Sequence, residues 1–249
     1  MKRRGFTMVE LLVVVGIILL LMTILIPSIS GVQRRGVRMT DLSNIRQMSI
    51  ALLSMAQDSN GSIPRGERVT GGVADDMVWM CGPTITSLNT KYGVEKKSLS
   101  CITYLNTTFY RNTVGKVPLS GTPDGQIGWM YWGSRAINGP NNRVIMNLDG
   151  SSSGVPYQMP RRLSSPMTTR TLITCMAYTS PHSAWPGWMP HAIANETGVS
   201  VPSNKGPFKD VEVVGLNMGF VDGSARWVLW DDLGAIRDVD WCYYDRTAK

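Results

Sequence analysis

The sequence predicts an α+β protein in which a long N-terminal α-helix, one half transmembrane and one half amphipathic, packs on a strand-rich, loop-rich globular head. The first observation is an apolar stretch from Leu11 to Ile26, interrupted only by Gly16 and Thr23. The second is the helical spacing of the apolar residues that follow it. The third is a change of texture at residue 61, beyond which clusters of Gly, Pro, Ser, Thr and Asn separate short apolar runs.

Composition places the chain among globular proteins. Hydrophobic residues make up 43% and charged residues 17% of the 249 residues, which excludes a disordered chain. The formal net charge of +7 includes Lys2, Arg3 and Arg4 ahead of the apolar stretch, where basic residues favour retention on the cytoplasmic side. The remaining excess is modest and comes without basic and aromatic stripes, zinc-finger spacing or a recognition-helix pattern, so nucleic-acid binding is not expected.

The apolar stretch is long enough to cross a membrane. With Phe6 to Val9 it extends to about 20 residues, the length of a membrane-spanning helix. Basic residues before it orient the N-terminus toward the cytoplasm and the later chain outward. A plain signal anchor and a cleaved secretory signal peptide are two interpretations of this segment. Ser28-Ile29-Ser30 could imitate a secretory cleavage site. Glu10 needs a further explanation, because a carboxylate near the membrane edge usually has a partner.

Residues Lys2 to Leu12 resemble the prepilin cleavage and methylation motif of type IV pilin-like proteins and type II secretion pseudopilins. The shared features are a short basic leader, Gly5, the aromatic Phe6, and Glu10 five places into the mature chain. The resemblance implies that prepilin peptidase cleaves between Gly5 and Phe6 and methylates the new amino group. It also implies a single-pass precursor in the bacterial inner membrane. An assembly platform and ATPase would then pack it with other subunits into a periplasmic or extracellular filament.

This resemblance implies four segments: a leader at 1–5, a transmembrane and filament-core helix at 6–30, its amphipathic half at 31–58, and an external globular head at 59–249. In the family, the carboxylate that corresponds to Glu10 pairs with the N-terminal ammonium of a neighbouring subunit, here on Phe6. Such a pair fixes axial register, because a slip would leave both charges without a partner. Pro27 is expected either to kink the helix at the membrane surface or to mark where it melts on assembly.

The amphipathic half is predicted from a single apolar face. The helix should continue to about Gln57 and stop at Asp58-Ser59-Asn60-Gly61, because Asn and Gly accept the left-handed backbone that commonly ends helices. The apolar residues are Ile29, Val32, Met39, Leu42, Ile45, Met48, Leu52 and Met55.

The clearest local structure in the head is a hairpin, Leu216–Val221 and Ser224–Trp230 joined by Asp222-Gly223. Both turn positions tolerate positive φ, so a two-residue turn is expected. The segment also resembles the C-terminal pattern of pilin-like proteins of planctomycete-type bacteria, in which nine residues separate a His from Asp-Gly. Glu212 occupies the position of that His, so Asp222 and Gly223 are interpreted as turn formers rather than as a functional site.

The expected metal chemistry is sparse, and no cofactor beyond a possible calcium ion is predicted. The family resemblance suggests calcium because some secretion pseudopilins hold the ion near the C-terminus, although the acidic spacing matches no EF-hand and solvated turns are the alternative. His182 and His191 lie in a Pro- and Trp-rich segment, where exposed loop histidines are preferred to a metal site. The weak calcium candidates are Asp231, Asp232, Asp238 and Asp240.

Four scattered cysteines, Cys81, Cys101, Cys175 and Cys242, contain no C-x-x-C pair. An even count permits disulfides in an exported domain, with three connectivities that the sequence does not rank. Pairing Cys81 with Cys101 would close the shortest loop, and pairing Cys175 with Cys242 would pin the C-terminus. Free buried thiols are an equally open interpretation.

The chain is expected to be a non-catalytic structural subunit, a pseudopilin or minor pilin, because no Gly-x-Ser-x-Gly, Walker, dinucleotide or His-Glu-x-x-His motif occurs. The alternative is a membrane-anchored glycan-binding module that uses the pilin-type signal for display. It depends on Trp129, Trp132, Trp185 and Trp188, which lie in Gly- and Pro-rich segments. Exposed aromatic rings there could stack on sugars, whereas the main interpretation is that most of the eight tryptophans fill the core and shield hydrophobic seams between subunits.

Overall fold

Helix α1 runs without interruption from Met8 to Asp58 in this computed structural model of the chain. Two compact units are present, Met1–Met39 and Thr40–Lys249. The long helix and the antiparallel sheets that follow confirm the α+β class. The structure describes residues 7–66, 79–102, 125–133, 144–146, 152–156, 160–164, 166, 170–179, 187–189, 199–201, 215–237 and 241–245.

The predicted end of α1 is confirmed. Asn60 and Gly61 have φ of 52° and 76°, the left-handed conformation expected of this Asn-Gly pair. The Gly61 N–H donates to the carbonyl of Ala56 at 2.8 Å, which satisfies one of the last carbonyls of the helix. The stop signal therefore works through backbone geometry that the two residue types permit.

The chain leaving α1 is tied at once to a distant segment, residues 161–163. Ser62 and Arg162 form an isolated antiparallel bridge. Three hydrogen bonds of 2.8–2.9 Å surround this bridge, and we call the arrangement the exit tie. The donors and acceptors are Ile63 N to Arg161 O, Leu163 N to Gly61 O, and Arg162 Nη2 to Asn60 O.

Within the second unit, α1 buries one face. The predicted apolar face is confirmed at Ile45, Met48 and Leu52, each no more than 1% exposed. Val32 and Met39 are 70% and 64% exposed and lie before the second unit begins, so the prediction that they share this apolar face stays a prediction. Leu42 and Met55 are half-buried, and the side chain of Ile29 lies outside the described residues. The buried face comprises Asp41, Ile45, Met48, Ser49, Ala51, Leu52 and Ala56.

A four-stranded antiparallel sheet, ordered β11-β10-β6-β3, provides the surface for this face. A Cβ at Gly219 would lie 2.1 Å from Ser49 Oγ and 2.8 Å from Ile45 Cγ2, so α1 and β10 touch where glycine removes the side chain. The strands are β3 (Trp129–Tyr131), β6 (Thr171–Cys175), β10 (Gly215–Phe220) and β11 (Ala225–Leu229).

The other described strands form a seven-stranded sheet and a two-stranded ribbon, also antiparallel. The order of the larger sheet is β5-β4-β12-β13-β7-β8-β9. The ribbon is β1 (Trp79–Met80) and β2 (Gly125–Gln126). The larger sheet contains β4 (Val144–Met146), β5 (Ser152–Pro156), β7 (Tyr178–Thr179), β8 (Gly187–Met189), β9 (Val199–Val201), β12 (Leu233–Arg237) and β13 (Trp241–Asp245). Helix α2 spans Gly82–Thr90, and 3₁₀ helices span Lys96–Leu99 and Trp230–Asp232.

Candidate functional site

The N-terminal part of α1 exposes an apolar surface. Its 18-residue segment Met8–Leu25 is long and apolar enough to cross a membrane, and none of it is buried within the structure. Leu12, Leu20 and Ile24 are 64–74% exposed and show the size of the side chains involved. A surface of this kind requires an apolar environment supplied from outside the chain.

The helix begins with a capping box formed by Thr7 and Glu10. The backbone N–H and the hydroxyl of Thr7 each donate to Glu10 Oε2 at 2.8 Å. The backbone N–H of Glu10 donates in return to Thr7 Oγ1 at 3.3 Å. This reciprocal pattern satisfies backbone donors that the first helical turn would otherwise leave open.

Glu10 therefore has a partner within its own chain, which the sequence analysis missed. The signal was available, since Thr7-Met8-Val9-Glu10 has the Thr-x-x-Glu spacing of a capping box. Both contacts of the carboxylate with Thr7 use Oε2, and among the described residues no donor reaches Oε1. Gly5 and Phe6 lie outside the described residues, so the cleavage position and the pairing with a neighbouring ammonium stay predictions.

Pro27 lies inside α1, whose helical assignment continues on both sides of it. Proline carries no backbone N–H, so the helix loses one hydrogen bond at this point. The side chain of Pro27 is outside the described part of the structure. The kink and the local melting both stay predictions.

The hairpin predicted at Asp222-Gly223 forms, but its loop is longer than expected. Strands β10 and β11 pair as far as Gly219 with Ala225, and Phe220 N donates to Ser224 O at 3.0 Å. The loop is thus the three residues 221–223, and only Gly223 has positive φ, at 80°. The expected two-residue turn with two positive φ values is wrong. A turn followed by a left-handed glycine fits the strand twist equally well.

Asp222 acts in this loop as a hydrogen-bond acceptor. Its Oδ1 accepts from the backbone N–H of Ser224 at 2.9 Å and from the Ser224 hydroxyl at 2.6 Å. The Ser224 hydroxyl lowers the pKa of the Asp222 carboxyl below its ordinary value. These contacts account for both residues locally and agree with a structural role for the turn.

The proposed calcium ligands are only partly described. Asp231 and Asp232 lie in the 3₁₀ helix after β11, where Asp231 is exposed and Asp232 half-buried. Asp238 and Asp240 lie outside the described residues, as do His182, His191 and Glu212. Within the part of the chain that is described, the acidic pair joins no group of three metal-ligating side chains. Calcium binding stays a prediction.

A different cluster, which the sequence analysis did not foresee, lies in the core. Asp41, Cys101 and Cys175 place one ligating atom each within 4.8 Å of one another, and all three residues are fully buried. Cys81 is also a buried free thiol, and the side chain of Cys242 lies outside the described residues. Asp41 occupies the position four residues before Ile45 on the buried face of α1, so an acidic residue on an apolar stripe was the available signal.

The tryptophans that were considered as sugar platforms are in part core residues. Trp129 and Trp132 are fully buried. Their indole N–H groups donate to Ser98 O at 2.9 Å and to Thr174 Oγ1 at 3.2 Å. The core interpretation is confirmed for these two rings, and the exposure that the glycan-binding alternative needs is wrong for them, because their Gly-rich surroundings belong to strand β3 and its flanks. The side chains of Trp185 and Trp188 lie outside the described residues.

Comparison with known proteins supports the N-terminal motif. Residues 1–26 match the model of the prokaryotic N-terminal methylation motif. No curated protein and no solved structure matches the chain. The motif identified from Lys2 to Leu12 is thereby confirmed, while the resemblance of the hairpin to planctomycete-type proteins stays a prediction.

Proposed function

We propose, on the premise that this chain is a type IV pilin-like precursor, that it is a non-catalytic subunit of a type II secretion pseudopilus or a type IV pilus-like filament. The observation that carries the proposal is the methylation motif together with the helical segment Met8–Leu25, whose apolar side chains are not buried within the structure. Prepilin peptidase would cleave after Gly5 and methylate Phe6. Other subunits would then surround the Met8–Leu25 segment.

The exposed apolar surface explains why such a helix must move from one apolar environment to another. Burial of a large aliphatic side chain is worth about 1.5–3 kcal/mol relative to water. Many such side chains are exposed between Met8 and Leu25, so the segment cannot remain in water. A bilayer covers it in the precursor, and equivalent helices cover it in the filament.

The capping box and the family ion pair can exist together. Cleavage between Gly5 and Phe6 leaves Thr7 in the mature chain, so the contacts of Glu10 Oε2 survive processing. Oε1, which receives no donor from the described residues, stays available for the Phe6 ammonium of a neighbouring subunit. The capping box would then hold the carboxylate in place for the charge that reaches it on assembly.

Substitutions at Thr7 and Glu10 separate the two roles. Glu10→Gln keeps a side chain that can complete the capping box but removes the charge. Thr7→Val removes the hydroxyl and keeps the charge. We expect both variants to be cleaved normally, with filament recovery lost in Glu10→Gln and reduced only moderately in Thr7→Val. Cleavage is followed by the mass of the mature protein and filaments by shearing and electron microscopy. Wild-type filament recovery from Glu10→Gln would overturn the role of the charge.

Processing itself is tested by mass spectrometry of the native protein. The expected mature N-terminus is a methylated Phe6. A matched control is Gly5→Leu, which should retain the leader in the membrane fraction because the residue before the cut is changed. A native protein that begins at Met1, or at a residue beyond the apolar segment, would overturn the proposed function.

A further inference from the structure

Three parts of the chain meet at the buried cluster. Asp41 comes from α1, Cys101 follows the 3₁₀ helix Lys96–Leu99, and Cys175 ends strand β6. The thiol of Cys101 donates to Asp41 Oδ2 at 2.9 Å. The other oxygen of Asp41 accepts from the backbone N–H of Ile102 at 2.8 Å. The segment Cys101–Ile102 therefore orients the Asp41 carboxylate, and one of its oxygens lies against the sulfur of Cys101.

Strand β3 brings the second cysteine to the same place. Trp129 pairs with Cys175 in the sheet. The residue before it, Gly128, accepts a hydrogen bond from the backbone N–H of Cys101 at 3.3 Å. Both cysteines thus flank the start of β3, and their sulfurs lie within 4.8 Å of each other. The S–S bond of a disulfide is about 2 Å long, so the two sulfurs must approach each other further to form one.

We propose that Cys101 and Cys175 are joined by a disulfide in the exported protein, with Asp41 as the proton acceptor during its formation. The proposal rests on the proposed function, because the head reaches an oxidising compartment only if the chain is exported. The proposal selects one of the three disulfide connectivities that the cysteine spacing does not rank. It also replaces the pairings of Cys81 with Cys101 and of Cys175 with Cys242.

The chemistry balances with a disulfide-form thiol oxidoreductase as the oxidant. Before the chain has folded, the Cys175 thiolate attacks the disulfide of the oxidant. This step gives a mixed disulfide and releases one sulfur of the oxidant as a thiolate, which takes up a proton. The Cys101 thiol then passes its proton to Asp41 Oδ2 and attacks Cys175 Sγ, which expels the second sulfur of the oxidant as a thiolate that takes up a proton. Two thiols lose two electrons and two protons, and the oxidant becomes a dithiol.

The surroundings of the sulfurs assign this order of events. In the folded core, burial raises the pKa of the Cys175 thiol well above its ordinary value, and neighbouring Cys101 and Asp41 raise it further. Cys175 is therefore a poor nucleophile once folded and must react early. Cys101 has an adjacent base and can complete the bond late. Full burial of both sulfurs then protects the finished disulfide from reductants.

The first experiment identifies the bond in native full-length protein. Membranes are solubilised in denaturant with iodoacetamide and no reductant, and the digest is analysed by mass spectrometry. We expect a linked pair of peptides carrying Cys101 and Cys175, and neither residue alkylated. Alkylation of both cysteines in processed protein, or linkage of Cys101 to Cys81, would overturn the proposal. So would an equivalent of zinc that protects both thiols until a chelator removes it, since the same three donors could hold that ion.

A second experiment separates failure of this proposal from failure of the proposed function. Full-length protein is reduced, unfolded in detergent and refolded with reduced and oxidised glutathione, which requires no export. Formation of the Cys101–Cys175 bond supports the proposal even if the native chain proves to be unprocessed. Failure to form it here overturns the proposal, whatever the mature N-terminus is. Reduction should lower Tm by about 10 °C in the wild type and leave Cys175→Ser unchanged.

The role of Asp41 is measured in the same refolding reaction. Asp41→Asn keeps an oxygen for the Ile102 N–H but is a poor base, so closure of the disulfide should slow by about tenfold or more. Asp41→Glu should restore part of the rate. Ser49→Ala, which alters another buried polar side chain on the same helix face, is the control and should close at the wild-type rate. An equal rate in Asp41→Asn would overturn the role of the carboxylate.

Discussion

The two parts of helix α1 use apolar side chains in different ways. From Met8 to Leu25, large apolar residues are exposed around the helix. From Asp41 to Ala56, one face is buried, while Arg46 and Gln47 lie exposed on the other. The backbone conformation is the same throughout, so composition alone decides what each part needs. The first needs an environment from outside the chain, and the second finds it in the four-stranded sheet.

The largest expected effect is at Leu52, which is 1% exposed. Leu52→Ala should reduce the free energy of unfolding of the head by about 4 kcal/mol, because the cavity adds to the lost burial. Leu19→Ala removes the same atoms from the exposed segment, where Leu19 is 58% exposed. It should leave the melting of the head unchanged. Thermal melts of the full-length proteins in detergent make the comparison, and equal losses would contradict it.

Introducing a positive charge should distinguish the two parts of helix α1 almost as strongly. Ile18→Lys places a cation in the middle of the Met8–Leu25 segment, where insertion into a bilayer should become less favourable by about 3 kcal/mol. Ile50→Lys makes the same change at a side chain that is 49% exposed on the second part, and should be tolerated. Alkaline extraction of membranes measures the retained fraction. Equal retention of both variants would show that the segment does not span.

The contact at Gly219 gives a smaller effect. Gly219→Ala should cost about 2 kcal/mol, because a Cβ would lie 2.1 Å from Ser49 Oγ and the side chains packed there must shift. Gly36→Ala is the control, since nothing lies within 4 Å of its position and alanine favours helix. Chemical denaturation of both variants provides the measurement. Ser49 Oγ is buried and has no hydrogen-bond partner among the described residues, so Ser49→Ala should relieve part of the strain in the double variant.

The smallest expected effect is at the hairpin. Asp222→Ala removes the acceptor of two Ser224 contacts and should cost about 0.5–1 kcal/mol, whereas Asp222→Asn keeps an acceptor and should cost less. The folded pKa of Asp222 is lowered, so its stabilisation is present above the ordinary carboxyl pKa and is lost as pH falls through the folded value. Melts between pH 7 and 2, with Asp222→Ala as reference, should show this loss. A difference that is constant over that range would contradict it.

Local signals in the sequence predicted local structure well. Asn60 and Gly61 marked the end of α1 because the geometry they accept depends only on those residues. The Asp-Gly pair located the hairpin for the same reason. The predicted length of its loop was wrong. The register of the hairpin also depends on the pairing of β10 with β6 and on the hydrogen bond from Val221 N to Arg170 O.

The partners of Asp41 could not be predicted from its neighbours in the sequence. They lie about sixty residues away at Cys101 and further still at Cys175, and only the sheet brings them together. Trp129 and Trp132 show the same limit, because glycine and proline nearby suggested loops while strand pairing buried both rings. The capping box at Thr7 differs, since its spacing was visible and only its meaning was missed.

The exit tie at the end of α1 has a mechanical consequence. In the filament proposed for this chain, tension between the helices and the heads would pass, within each subunit, through the covalent path Asn60–Ile63. The bridge between Ser62 and Arg162 fastens that path to a second strand of chain. Load would therefore be shared between two segments at the point where α1 ends, and unfolding from this point would have to begin by breaking several hydrogen bonds together.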